Sequence, residues 1–111
     1  MAAPDPPALR ITAESDGGTT ILRLAGELDL ATADRLRERV RTLLGHGSTL
    51  DTLVLDLAGL EFLDVTGLGA ILETRRKLTA EGATLTLRRP RPMVVRMLML
   101  LNLDEALHID D

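Results

Sequence analysis

The chain contains no cysteine, no tryptophan and no tyrosine, and Phe62 is its single aromatic residue. Without cysteine there are no disulfides and no thiolate ligands for a metal. One phenylalanine cannot build the stacking platform on which bases or sugar rings are held. Basic excess is missing as well: 13 Lys and Arg stand against 17 Asp and Glu, a net charge of −4. Neither nucleic acid nor an anionic membrane is therefore expected as a direct partner. The longest apolar run, Met97 to Leu101, is far short of the ~20 residues that span a bilayer, so no membrane insertion is expected. Met1 to Ala8 holds three prolines, no basic residue and no apolar core, which is unlike a signal peptide. The expectation is a soluble, cytoplasmic domain.

What remains is aliphatic. Of 111 residues, 45% are hydrophobic and 1% aromatic, enough for one leucine-rich core in one domain. Residues 1–7 read as a disordered lead-in and residues 8–111 as the domain. Leu9 to Glu14 alternates strictly, as a half-exposed strand does. Ser15-Asp16-Gly17-Gly18 is turn chemistry, and Thr19 to Ala25 completes an antiparallel hairpin. Gly26-Glu27-Leu28-Asp29 then leads into a helix capped near Thr32, with Ala33, Leu36, Val40, Leu43 and Leu44 on one face. A third strand, Leu53 to Leu57, is apolar on both faces except for Asp56, as a central strand would be.

A helix follows from about Thr66 to Thr79, and Gly82 closes it. Ala83 to Arg89 alternates as a fourth strand. Pro92 opens a third helix, which Asn102 ends in the left-handed conformation that asparagine tolerates. Ala106 to Ile109 reads as a short last strand. The order ββαβαβαβ predicts an α/β fold: a mixed, mostly parallel sheet of four to five strands packed with about three helices.

The most informative segment is Phe62-Leu63-Asp64-Val65-Thr66-Gly67-Leu68-Gly69. Read as strand, turn and helix, it sets the Thr66 hydroxyl at the positive end of a helix dipole, where a phosphoryl group is favoured. No group able to catalyse anything sits beside it, so the hydroxyl reads as a substrate and not as a nucleophile. Thr66 also suits a plain N-cap role worth about 1 kcal/mol, and Asp64 could cap in its place.

Gly67 and Gly69 each cost up to ~1 kcal/mol relative to alanine in a helix. Either the helix packs closely on a strand there, or exposed backbone offers a flat docking patch. The spacing is not that of a phosphate-binding loop. Asp29 and Asp64 both fall at the carboxyl edge of the sheet, where partners and ligands collect. As a paired-carboxylate acid/base site they would need a pocket; as turn and cap residues they would not.

His46 and His108 lie far apart in the chain, and no metal or other cofactor is expected. Arg75-Arg76-Lys77 and Arg88-Arg89-Arg91 read as solvated faces. The third helix is apolar almost all round, which leaves a surplus face around Val95 and Met99, suited to burial or to weak self-association.

Taken together, Gly26-Glu27-Leu28-Asp29, Leu53 to Leu57, Phe62 to Gly69, and Pro92-Met93-Val94-Val95-Arg96-Met97 through Asn102-Leu103 resemble the STAS domain, and most closely the stand-alone bacterial anti-sigma factor antagonists. The resemblance covers residues 8 to 110. It implies a partner switch without catalysis. The unphosphorylated antagonist binds an anti-sigma factor that is also a serine/threonine kinase, which frees the sigma factor. The kinase phosphorylates the hydroxyl that falls here on Thr66, and a phosphatase reverses the step. Asp29, Asp64, Val65, Gly67, Leu68 and Gly69 match positions at the partner surface.

Two departures stand out. Serine is commoner in that family where this chain has Thr66, and also where it has Val65. The usual C-terminal helix is expected to be short or missing. The alternative within the same resemblance is a STAS subunit of a lipid-transport ABC system, or a stressosome-type scaffold, in which Thr66 shapes a docking surface and carries no phosphate.

Overall fold

The computed structural model describes residues 8–45 and 47–110, so the lead-in 1–7, His46 and Asp111 lie outside the described residues. The elements are β1 (Leu9–Asp16), β2 (Thr19–Leu28), α1 (Ala33–Leu43), β3 (Thr52–Leu63), α2 (Val65–Ala80), β4 (Thr84–Arg88), α3 (Pro92–Leu100) and β5 (His108–Asp110). They build a five-stranded sheet in the order β1-β2-β3-β4-β5. The β1–β2 hairpin is antiparallel and every later pair is parallel. This is the α/β fold and the ββαβαβαβ order that the sequence predicts.

Each β-α-β crossover moves the same way across the sheet, and right-handed connections then set all three helices on one face. Leu22, Leu24, Leu53, Leu55, Leu57 and Leu87 form a single buried cluster with Leu36 and Val40 of α1, Ile71 and Leu78 of α2, and Val94 and Leu98 of α3. Each such leucine contributes about 1.5–3 kcal/mol relative to exposure. The alternate positions along the strands, among them Arg10, Thr12, Arg23 and Asp56, fall on the other face. The free edge of β1 is covered from within: the Arg35 guanidinium donates to the Leu9 carbonyl, and Arg39 reaches the Ile11 carbonyl at 3.4 Å. Without those bonds the edge would be a template for another strand.

Two strands run further than alternation indicates. β2 continues through Gly26 to Leu28, and β3 through Gly59 to Leu63. The β2–β3 register slips between Arg23 and Ala25 and again between Gly26 and Glu27. Gly26 has φ 108°, a conformation glycine takes without strain. These bulges break the two-residue period, which is why the sequence reading ends the second strand at Ala25 and the third at Leu57. The last strand starts two residues later and ends one later than the sequence suggests, at His108–Asp110.

Helix ends follow local chemistry more closely. Pro92 stands at the start of α3. Asn102 has φ 57°, the Leu103 amide donates to Leu98 O at 2.7 Å, and the Asn102 amide to Met99 O at 3.1 Å. That pair of bonds is a Schellman ending built on asparagine. The surplus apolar face of α3 is real but lies lower than expected: Met99, Leu100 and Leu101 are exposed, whereas Val95 is half-buried.

Candidate functional site

The site is built where two chain segments meet at the carboxyl edge of the sheet: the β2–α1 loop and the start of α2. Asp64 is the N-cap of α2, extended at φ −107° and ψ −177°, and its Oδ1 accepts the Gly67 amide at 2.7 Å. The alternative between Asp64 and Thr66 as cap is thus decided for Asp64. The other oxygen, Oδ2, accepts the Leu30 amide at 3.3 Å, so one carboxylate ties the two segments together. Thr66 lies one residue inside the helix, half-buried and outside the cap.

The two glycines have different roles. A Cβ on Gly67 would lie 2.1 Å from Leu28 O, so α2 can rest on the end of β2 only if residue 67 is glycine. Gly69 is exposed, and a Cβ there would meet nothing within 4 Å. Close packing accounts for the first and open helix surface for the second. Leu68, at 3% exposure, belongs to the core, so it and Gly67 support the surface from beneath.

Asp29 stays within its own turn. Its Oδ1 accepts the Ala31 amide at 3.0 Å and lies 3.2 Å from the Thr32 hydroxyl. Thr32 occupies the N-cap position of α1, but its side chain caps no helix amide; it accepts the Asp29 amide and reaches Glu27 O at 2.8 Å. Both carboxylates therefore hold backbone amides. The main grooves on the described surface are lined by other residues than Asp29 and Asp64. Among the described residues no three His, Cys, Asp or Glu side chains gather as a metal site requires. Among the described residues no helix is long and apolar enough to cross a membrane.

Around Thr66 apolar side chains reach the surface. Val65 and Leu30 are 76% and 79% exposed, and Phe62 is 45% exposed. Residues 26–33 and 57–74, which supply both segments, contain no lysine or arginine. Leu30 and Phe62 were not among the residues expected at this surface. The signal for Leu30 was an apolar residue inside a turn, and for Phe62 the chain's lone aromatic beside the motif.

Comparison with known proteins shows the family and the fold. The model of the STAS domain family matches residues 10–111. An anti-sigma F factor antagonist from Paenibacillus polymyxa is 32% identical over 103 residues, covering 93% of this chain and 87% of the relative. One from Lysinibacillus sphaericus is 34% identical over 74 residues, 67% of this chain; the match spans only 62% of that relative's length. Among solved structures, the Bacillus cell fate determinant SpoIIAA in its phosphorylated form superposes with a TM-score of 0.72 at 24% identity, covering 92% of each chain.

Proposed function

The chain belongs to the STAS domain family, among the anti-sigma factor antagonists, and on that footing we propose that it is a cytoplasmic partner switch controlled at Thr66. Unphosphorylated, it binds an anti-sigma factor that is also a serine/threonine kinase and so releases the sigma factor. Phosphorylation of Thr66 ends the complex, and a phosphatase restores it.

The observation that carries this reading is the setting of the hydroxyl. Asp64 takes the capping role, which leaves Thr66 on the rim of an apolar surface made by Leu30, Phe62 and Val65. An apolar surface flanked by satisfied polar groups suits docking of a partner. A phosphate would add about −1.5 to −2 charges within segments that hold no cation. The helix dipole would offset it by roughly 0.3–1 kcal/mol at an exposed terminus. Burying that dianion against a partner without a matching cation is unfavourable by several kcal/mol. A loss of ~3–4 kcal/mol weakens binding by roughly two to three orders of magnitude, enough to act as a switch. Asp29, Asp64, Val65 and Gly69 would face the partner, with Gly67 and Leu68 supporting them.

The test is intact-mass and peptide mass spectrometry of the protein taken from its host, with Thr66→Ala as the control. A phosphoryl group on Thr66 that the variant lacks supports the switch. Its absence in growth and under stress alike would favour a constitutive docking subunit. A Thr66→Glu variant that bound the kinase as tightly as the wild type would sink the proposal.

A further inference from the structure

The helix-free face of the sheet carries a feature that the Thr66 surface does not use. A groove of about 340 Å³ is lined by Arg10, Thr12, Arg23, Asp56, Gly59 and Arg89 among others. Its floor is Asp56, a carboxylate only 3% exposed. Asp56 Oδ2 accepts the Arg89 guanidinium and lies 3.8 Å from Arg23 Nε, while Oδ1 accepts the Ala58 amide at 3.1 Å. Arg89 reaches over the sheet from a left-handed backbone, φ 51°. For a residue other than glycine that conformation is strained, and it persists only where the surroundings hold it.

The charge here runs against that of the whole chain. Arg91 lies alongside, with Nε 2.9 Å from Ala58 O. Glu14 engages Arg23 at 2.9 Å, and Asp110 faces Arg88 at 3.7 Å. Among the described residues, Arg10, Arg23, Arg88, Arg89 and Arg91 form ion pairs only with Glu14, Asp56 and Asp110, five cations against three carboxylates, in a chain of net charge −4. Arg10 is exposed and has no carboxylate partner among the described residues, and the Arg23 and Arg89 side chains are 47% and 56% exposed. Asp56 holds the guanidiniums in place from below and is too covered to meet a ligand itself.

The width of the array selects the ligand. The cations belong to β1, β2 and β4 and to the residues following β4, so they are spread over four neighbouring strands. At ~4.8 Å per strand that is roughly 15 Å. A single phosphate or carboxylate cannot reach across it, whereas four or five residues of extended chain at ~3.3 Å each can. We propose that this arginine-lined face docks an extended acidic peptide segment of a partner protein, through a surface separate from the one around Thr66.

The experiment is fluorescence anisotropy of the full chain with a labelled octaglutamate peptide, octalysine as control, at low and high salt. The expected result is salt-sensitive binding of octaglutamate alone, with amide shifts at Ala58 and Gly59 in NMR spectra. Arg10→Glu should weaken it about tenfold or more, Arg10→Lys by no more than about twofold, and Thr66→Glu not at all. Among the described residues the Arg10 side chain makes no hydrogen bond or ion pair, so these variants keep the test clear of unfolding. Three results would overturn the proposal: no octaglutamate binding, equal binding by Arg10→Glu, or full displacement by millimolar inorganic phosphate. Capture by phosphatidylglycerol vesicles in the absence of peptide binding would overturn it in favour of a membrane surface.

Discussion

The Leu28 carbonyl and Gly67 are in contact so close that a Cβ at residue 67 would fall 2.1 Å from that oxygen. The same carbonyl accepts the Asp64 amide at 3.3 Å. The end of β2 and the start of α2 are therefore seated on one another through backbone atoms. Gly67→Ala has to push the helix off the strand, with a loss of about 1–3 kcal/mol in urea or thermal unfolding. Gly69→Ala meets open space and replaces a helical glycine, so it should leave stability unchanged or raise it by up to ~1 kcal/mol. Equal losses from both variants would contradict the packing described for Gly67.

Asp64 both caps α2 and holds the Leu30 amide. Asp64→Ala should lower stability by about 1–2 kcal/mol, and Asp64→Asn by much less, since asparagine also caps well. Because the Leu30 tie is cut as well, amide exchange should quicken at Leu30 in the alanine variant.

Acid should weaken the fold through two carboxylates. Burial pushes the Asp56 carboxyl up, but the Arg89 hydrogen bond, the Ala58 amide and the charges of Arg89 and Arg23 together outweigh it and hold it below the usual carboxylate value. The hydrogen bond from Arg37 holds Glu73 below its usual value in the same way. A carboxyl whose folded value lies below its unfolded one stabilises the fold above the unfolded value of about 4, and that contribution disappears as pH falls through the folded value. Denaturant midpoints measured from pH 7 down to pH 3 should therefore fall. The fall should be shallower in Asp56→Asn, which starts from a lower midpoint because Arg89 has lost its charged partner.

Leu30 and Phe62 should matter for binding and not for folding. Both are exposed in the free chain, so Leu30→Ser and Phe62→Ser should leave the melting temperature nearly unchanged. If the surface around Thr66 is the docking surface, at least one of them should weaken anti-sigma factor binding by more than about 1 kcal/mol, roughly fivefold. Titration calorimetry with the cognate kinase would measure it.

Asn102, at φ 57°, should tolerate glycine. Asn102→Val, with a branched side chain in the left-handed region, should destabilise the end of α3 by about 1 kcal/mol or more.

The sequence by itself determined the order of the elements, the opening hairpin, the parallel sheet that follows it, the ends of α3 and the placing of Thr66 at a helix start. All of these rest on signals within a few residues of one another: a period of two or 3.6, a proline at a first turn, an asparagine at a last one. Tertiary structure decided the rest. That Asp64 caps while Thr66 stays outside the cap depends on the β2–α1 loop, 34 residues away at Leu30. Why Gly67 must be glycine depends on the Leu28 carbonyl, and Arg89 stands over Asp56 across a gap of 33 residues. The lengths of β2 and β3 turn on bulges that erase the alternation a reader counts. Local patterns record which face a residue prefers; which atoms meet depends on strand register and crossover, and those exist only once the sheet has closed.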